Sequence, residues 1–170
     1  MSCRRSLFMS CALVAAWSGA LPGPAEAQTV TVTMTDDVVD FSGAQQVGDL
    51  PGPDGSVSFR EACVAANNTP GPQTIGFAIP NAPPMEWNGG VATLFMNFSI
   101  FSLSDAGTTV DFSTQTSFTG NTNPTGNEVG IRTVPITGAP AIYVSGDYCT
   151  IKGLDRVSYC GYGVQLAGSH

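Results

Sequence analysis

Carboxylates are the groups in this chain best able to do chemistry, because imidazole and clustered thiols are almost missing. The only histidine is the last residue, His170, so no Ser-His-Asp or Cys-His arrangement can form around a central imidazole. There is no CxxC pair, histidine cluster or glycine-rich phosphate loop. Asp36, Asp37 and Asp40 fall close together. Such an acidic loop either binds Ca²⁺ or is a solvated turn whose side chains hold nearby backbone amides. No other cofactor is expected. Asp155 and Arg156 form a carboxylate–guanidinium pair of the sort a polysaccharide lyase uses. Strand neighbours point to opposite faces, however, and turn neighbours make ordinary surface pairs. Trp87, in Met85-Glu86-Trp87-Asn88, can stack on a sugar ring or anchor its loop by packing.

The composition bounds the scaffold that must hold these groups. At 170 residues, 42% hydrophobic and 11% charged, the chain is long and apolar enough for one domain with a core. Its 20 Gly and 12 Pro, with abundant Thr, Ser and Asn, favour strands and turns. The net charge is -7. Beyond Arg4 and Arg5 the only cations are Arg60, Arg132, Lys152 and Arg156, which form no run, so nucleic acid is not an expected partner.

Residues 1–27 read as a signal peptide. Arg4 and Arg5 precede the apolar stretch Leu7–Trp17, and Ala25-Glu26-Ala27 supplies small-x-small cleavage chemistry, so mature protein is expected to start at Gln28. The apolar run is short for a membrane span, and no later segment is long enough. Cleavage would leave Cys63, Cys149 and Cys160. An odd number leaves at least one thiol unpaired; Cys149 and Cys160 either pair or remain buried thiols.

Residues 28–80 read as a strand, a loop and one helix. Thr29–Thr35 alternates Thr with Val30, Val32 and Met34, the pattern of a half-buried strand. Ser58 and Glu61 have capping-box spacing, and Phe59, Ala62, Cys63 and Ala66 draw one apolar stripe. Ser58, Phe59, Arg60, Glu61 and Ala62 thus form a structural helix-cap motif, with Glu61 capping and Arg60 fixing the helix onto the first layer of sheet. From Thr74 onward, and so throughout residues 81–170, the chain reads as strands and turns alone: 74–79, 91–103, 108–112, 129–134, 141–144, 150–154 and 163–166. Ala141–Tyr148 aligns with Gly163–His170 at a shift of 22 positions, setting Ile142 over Val164 and Val144 over Leu166. That is the size of one solenoid repeat.

The stretch from Leu50 through Ser58-Phe59-Arg60-Glu61-Ala62-Cys63 to Pro80 resembles the N-terminal module named for its Cys-Ser-Leu-Arg-Glu-Ala motif. Thr109–Thr116, with Thr114-Gln115, and Gly146–Leu154 are similar to later segments of that family, so the resemblance covers most of the mature chain. Val57 stands where the family has its first Cys, Cys63 where Ile is usual, and Cys149 where Asn is frequent. The resemblance implies a secreted, all-β protein: a right-handed parallel β-helix of the pectate-lyase kind, with a short N-terminal capping helix. On that reading the chain is a fragment with further turns of sheet beyond residue 170. It is expected to be a secreted or cell-surface protein that binds extracellular polysaccharide or another surface polymer in a structural or adhesive role. The competing expectation is a polysaccharide lyase or glycoside hydrolase whose catalytic residues lie beyond residue 170.

Overall fold

The computed structural model describes residues 26–97, 100–135 and 138–168. The expected leader lies outside them except for its last two positions, as does His170. The elements run β1 (Gln28–Val32), a 3-10 turn (Val47–Asp49), α1 (Phe59–Asn68), β2 (Gln73–Phe77), β3 (Trp87–Asn88), β4 (Val91–Met96) and β5 (Phe101–Leu103). Then follow β6 (Thr109–Asp111), α2 (Thr114–Thr119), β7 (Val129–Thr133), β8 (Pro140–Val144), β9 (Thr150–Lys152), β10 (Val157–Ser158) and β11 (Tyr162–Leu166).

These strands form three sheets, ordered β1-β2-β6-β9, β10-β7-β4-β3 and β11-β8-β5. Every pairing is parallel except the β3–β4 hairpin. The inner faces meet in one apolar core. Val30, Val32, Ile75, Phe77, Leu94, Met96, Phe101, Leu103, Val110, Ile131, Ile142 and Val144 are all buried there. In β1, β5 and β6 burial alternates with exposure, as strands with one face on the core require. The 22-residue alignment is reproduced in the register, with Val164 beside Ile142 and Leu166 beside Val144.

The expected all-β class, a right-handed parallel β-helix, is corrected: the fold is mixed α/β. Eleven strands in three mostly parallel sheets are joined by two α-helices, and no closed solenoid is seen among the described residues. Helix α1 belongs to the core itself. Phe59 is 1% exposed, and its ring centroid lies 5.6 Å from Phe77, 4.6 Å from Phe101 and 5.7 Å from Phe112. Phe77 stacks on Phe112 at 4.5 Å. Aromatic pairs in such geometries add about 0.5–1.5 kcal/mol each beyond simple burial.

Helix α2 lies in a connection, in a part of the chain where only strands and turns were expected. Its sequence, TQTSFT, buries Gln115 alone and so carries no apolar stripe to announce a helix. Side-chain hydrogen bonds hold it instead. Thr114 Oγ1 accepts from the Phe77 amide, while Gln115 accepts from the Ile79 amide and donates to the Ile79 carbonyl. The Thr-Gln pair thereby continues the main-chain pairing of β2 past its last residue. The expected strand 91–103 is also corrected, to two shorter ones. The Asn97 amide, just after β4, donates to Asp37 Oδ2 at 2.8 Å, which takes it out of any sheet ladder.

Candidate functional site

The Ser58–Ala62 motif is a structural joint. Ser58 accepts from the Glu61 amide at 3.1 Å, and Glu61 Oε2 accepts from the Ser58 amide at 2.8 Å, completing both halves of the capping box. Glu61 Oε1 also takes the Asp40 amide, and the Ser58 hydroxyl donates to the Val38 carbonyl, so the cap holds the acidic loop as well. Burial pushes the Glu61 carboxyl above its ordinary range, against the pull of the Ser58 and Asp40 amides.

Arg60 donates to both oxygens of Asp37, at 2.6 and 2.8 Å, and lies 4.9 Å from the centre of the Phe101 ring. A further bond to the Ile100 carbonyl ties it to the chain entering β5. Asn67, two turns further along the same face of α1, donates to the Ser102 carbonyl and accepts from the Ser104 and Asp105 amides. Between them, Arg60 and Asn67 cover the edge of β5 that β8 does not pair.

The three loop aspartates do not converge on a common point. Asp37 is taken by Arg60 and Asn97, Asp40 Oδ2 accepts from the Asp54 amide, and Asp36 is exposed. Among the described residues no group of three or more His, Cys, Asp or Glu side chains could hold a metal. Cys63, Cys149 and Cys160 are free thiols. Burial pushes the Cys63 thiol far up, against the pull of nearby Arg60, and Cys149 is raised by burial too. Both therefore remain protonated and unreactive at neutral pH.

A cleft lies on the outward face of the sheet β10-β7-β4-β3. It encloses about 460 Å³ and is lined by Glu86, Asn88, Thr93, Arg132, Arg156 and Tyr159, together with Gly89 and Ser158. A second hollow of about 320 Å³ adjoins it and shares Arg132 and Tyr159, adding Phe95 and Asn97. The register explains the grouping. Phe95 on β4, Arg132 on β7 and Ser158 on β10 stand side by side across three parallel strands. The Arg132 guanidinium lies 5.7 Å from the Phe95 ring centre and 5.5 Å from that of Tyr159. Tyr159 takes a φ of 66°, a left-handed conformation that a bulky side chain adopts only under constraint.

Arg156 reaches this face because β7 has a glycine beneath it. A Cβ on Gly130 would stand 3.1 Å from Arg156 Cγ, so the bare backbone leaves a lane for the arginine stem. Its guanidinium donates to the Asn88 carbonyl at 3.4 Å and pairs with Asp155 at 3.4 Å. The Asp155–Arg156 pair thus puts one member in the cleft; Asp155 stands at its back, accepting from Asn123.

Trp87 lies beside the cleft and does not line it. It packs on the core, with its indole N–H donating to the Pro80 carbonyl at 2.8 Å. The aromatic surface within the two hollows comes from Tyr159 and half-buried Phe95, which the sequence did not single out. One signal was present: Arg132 is the lone charge inside an otherwise apolar strand, where only an outward-facing position tolerates it.

No helix of the described residues is long and apolar enough to cross a membrane. Compared with family profiles, with curated proteins and with solved structures, the chain matches none.

Proposed function

We propose that this is a secreted or cell-surface protein that binds extracellular polysaccharide, in a structural or adhesive role, through the outward face of the sheet β10-β7-β4-β3. The observation that carries the reading is Arg132 seated between Phe95 and Tyr159 at the junction of two open hollows. Sugar polymers offer flat C–H faces that stack on aromatic rings and hydroxyls that bond to Arg, Asn and carboxylate groups. A shallow, ring-lined groove along a rigid sheet fits an extended chain better than a compact metabolite. The leader-like residues 1–27 and the resemblance of Ser58–Cys63 to a module of exported proteins support the location.

Affinity electrophoresis of the mature chain through gels containing soluble polysaccharides tests the proposal. At least one polymer should retard it, and Tyr159→Ala should reduce that retardation. Unchanged mobility in every gel would count against binding. A second reading, turnover of a polysaccharide, is favoured by Glu86 sharing the cleft with two guanidiniums. New reducing ends or unsaturated-sugar absorbance on incubation would support it, and neither product forming would dispose of it.

A further inference from the structure

Four cations fall within the described residues, and their fates differ. Arg60 is bound to Asp37, Lys152 pairs with Asp111 at 3.0 Å, and Arg156 pairs with Asp155. Of these four cations, Arg132 alone has no ion pair or hydrogen bond to a carboxylate among the described residues. It is instead held through its π faces, by Phe95 and Tyr159. Aromatic contacts fix a guanidinium's position while leaving its N–H fork unspent. In a chain of net charge -7, a cation left unneutralised is a departure from the pattern around it. A planar fork of five donors, preorganised and open to a cleft, is complementary to a carboxylate or a sulfate ester, which accept two parallel hydrogen bonds.

We propose that the Arg132 cleft is an anion-recognition site, and that the polymer bound there carries carboxylate or sulfate groups which the Arg132 fork reads. This rests on the polysaccharide-binding reading above and adds its specificity-determining residue. Arg156, already leaning on Asp155, adds a second guanidinium to a cleft that also holds the Glu86 carboxylate. Phe95 and Tyr159 both hold the fork and offer surface to the sugar ring that carries the anion.

The test uses the mature chain with two matched pairs of polymers: polygalacturonate against its carboxyl-reduced galactan, and dextran sulfate against dextran. Titration calorimetry at low and moderate salt gives the affinities. The acidic member of at least one pair should bind at least about 10-fold tighter than its neutral partner, and this margin should shrink as salt screens the charges. Arg132→Gln should weaken acidic binding by roughly 10- to 100-fold, because a charge-assisted bidentate contact is lost. Arg132→Lys, which keeps charge without the fork, should fall between. Which acidic polymer binds distinguishes carboxylate from sulfate. Equal binding of acidic and neutral partners, or acidic binding indifferent to Arg132→Gln, overturns the inference while leaving polysaccharide binding in place. No binding to any of the four polymers overturns both. Arg132 faces solvent, so the variants should keep the parent's thermal midpoint, which confirms that their folds are intact.

Discussion

Removing one member of the Arg60–Asp37 pair should damage the protein far more than removing a surface ion pair would. The Asp37 side chain is 0% exposed and that of Arg60 14%. Asp37→Ala deletes acceptors for Arg60 Nε at 2.6 Å, Arg60 Nη2 at 2.8 Å and the Asn97 amide at 2.8 Å. A guanidinium is then left among Phe101 and buried backbone without its countercharge. Breaking one side of a buried pair costs about 3–5 kcal/mol, against about 5–15 kcal/mol for the whole stability of a domain. Arg60→Ala should cost a similar amount, since it orphans the carboxylate and frees the Ile100 carbonyl. The double variant escapes the stranded charge, so its loss should fall short of the summed single losses by about 2–3 kcal/mol. Urea unfolding of the chain from Gln28 onward measures this, provided the m-values agree. Asp37→Asn, which keeps an acceptor for Asn97, should give an intermediate loss. Strict additivity, with coupling under about 0.5 kcal/mol, would refute the argument that this pair joins the acidic loop, α1 and the turn after β4.

Two further outcomes follow from Glu61 and Gly90. Burial raises the folded-state pKa of Glu61 above its ordinary value, so the folded chain holds that proton more tightly than the unfolded chain. Its contribution to stability is therefore full below the unfolded pKa and is lost as pH rises through the raised value. Glu61→Gln should flatten the fall in thermal midpoint as pH is stepped upward from 4.5, and parallel curves for parent and variant would contradict this. Gly89 and Gly90 form the two-residue turn between β3 and β4 with φ of 61° and 83°. A Cβ on Gly90 would run into the Thr122 carbonyl, whereas one on Gly89 meets nothing within 4 Å. Gly90→Ala should thus cost at least about 2 kcal/mol and Gly89→Ala about 1 kcal/mol. The emission of Trp87 follows both unfoldings, and equal costs would remove the steric argument.

What could be read from sequence was what local rules dictate. Ser58 and Glu61 declare a helix start through their spacing, and the helix begins there; Thr29–Thr35 declares a strand through alternation, and the strand forms over Gln28–Val32, stopping short of Thr35. The alignment of Ile142 with Val164 also survives, because matching apolar faces fix a register. Helix α2 could not be read, since Thr114 and Gln115 are held by the backbone of Phe77 and Ile79, nearly forty positions earlier. Strand β10 is two residues long and exists because β7 offers it an edge. The cleft escaped for the same reason. Glu86, Phe95, Arg132 and Tyr159 are scattered along the chain, and only three strands lying abreast bring them together. Chain neighbours such as Asp155 and Arg156 form pairs that no fold is needed to make, whereas the grouping of Phe95, Arg132 and Tyr159 exists only once the strands pair.

The cover over β5 has a consequence for how the protein meets its own kind at high concentration. A bare strand invites any passing extended segment to add itself by main-chain bonding. Here such an intruder would first have to evict Asn67 and Arg60, whose side chains already occupy the Ser102 and Ile100 carbonyls. These two residues thus act as a stopper against runaway polymerisation along that flank, and replacing Asn67 by a short apolar side chain would leave the flank open to templating.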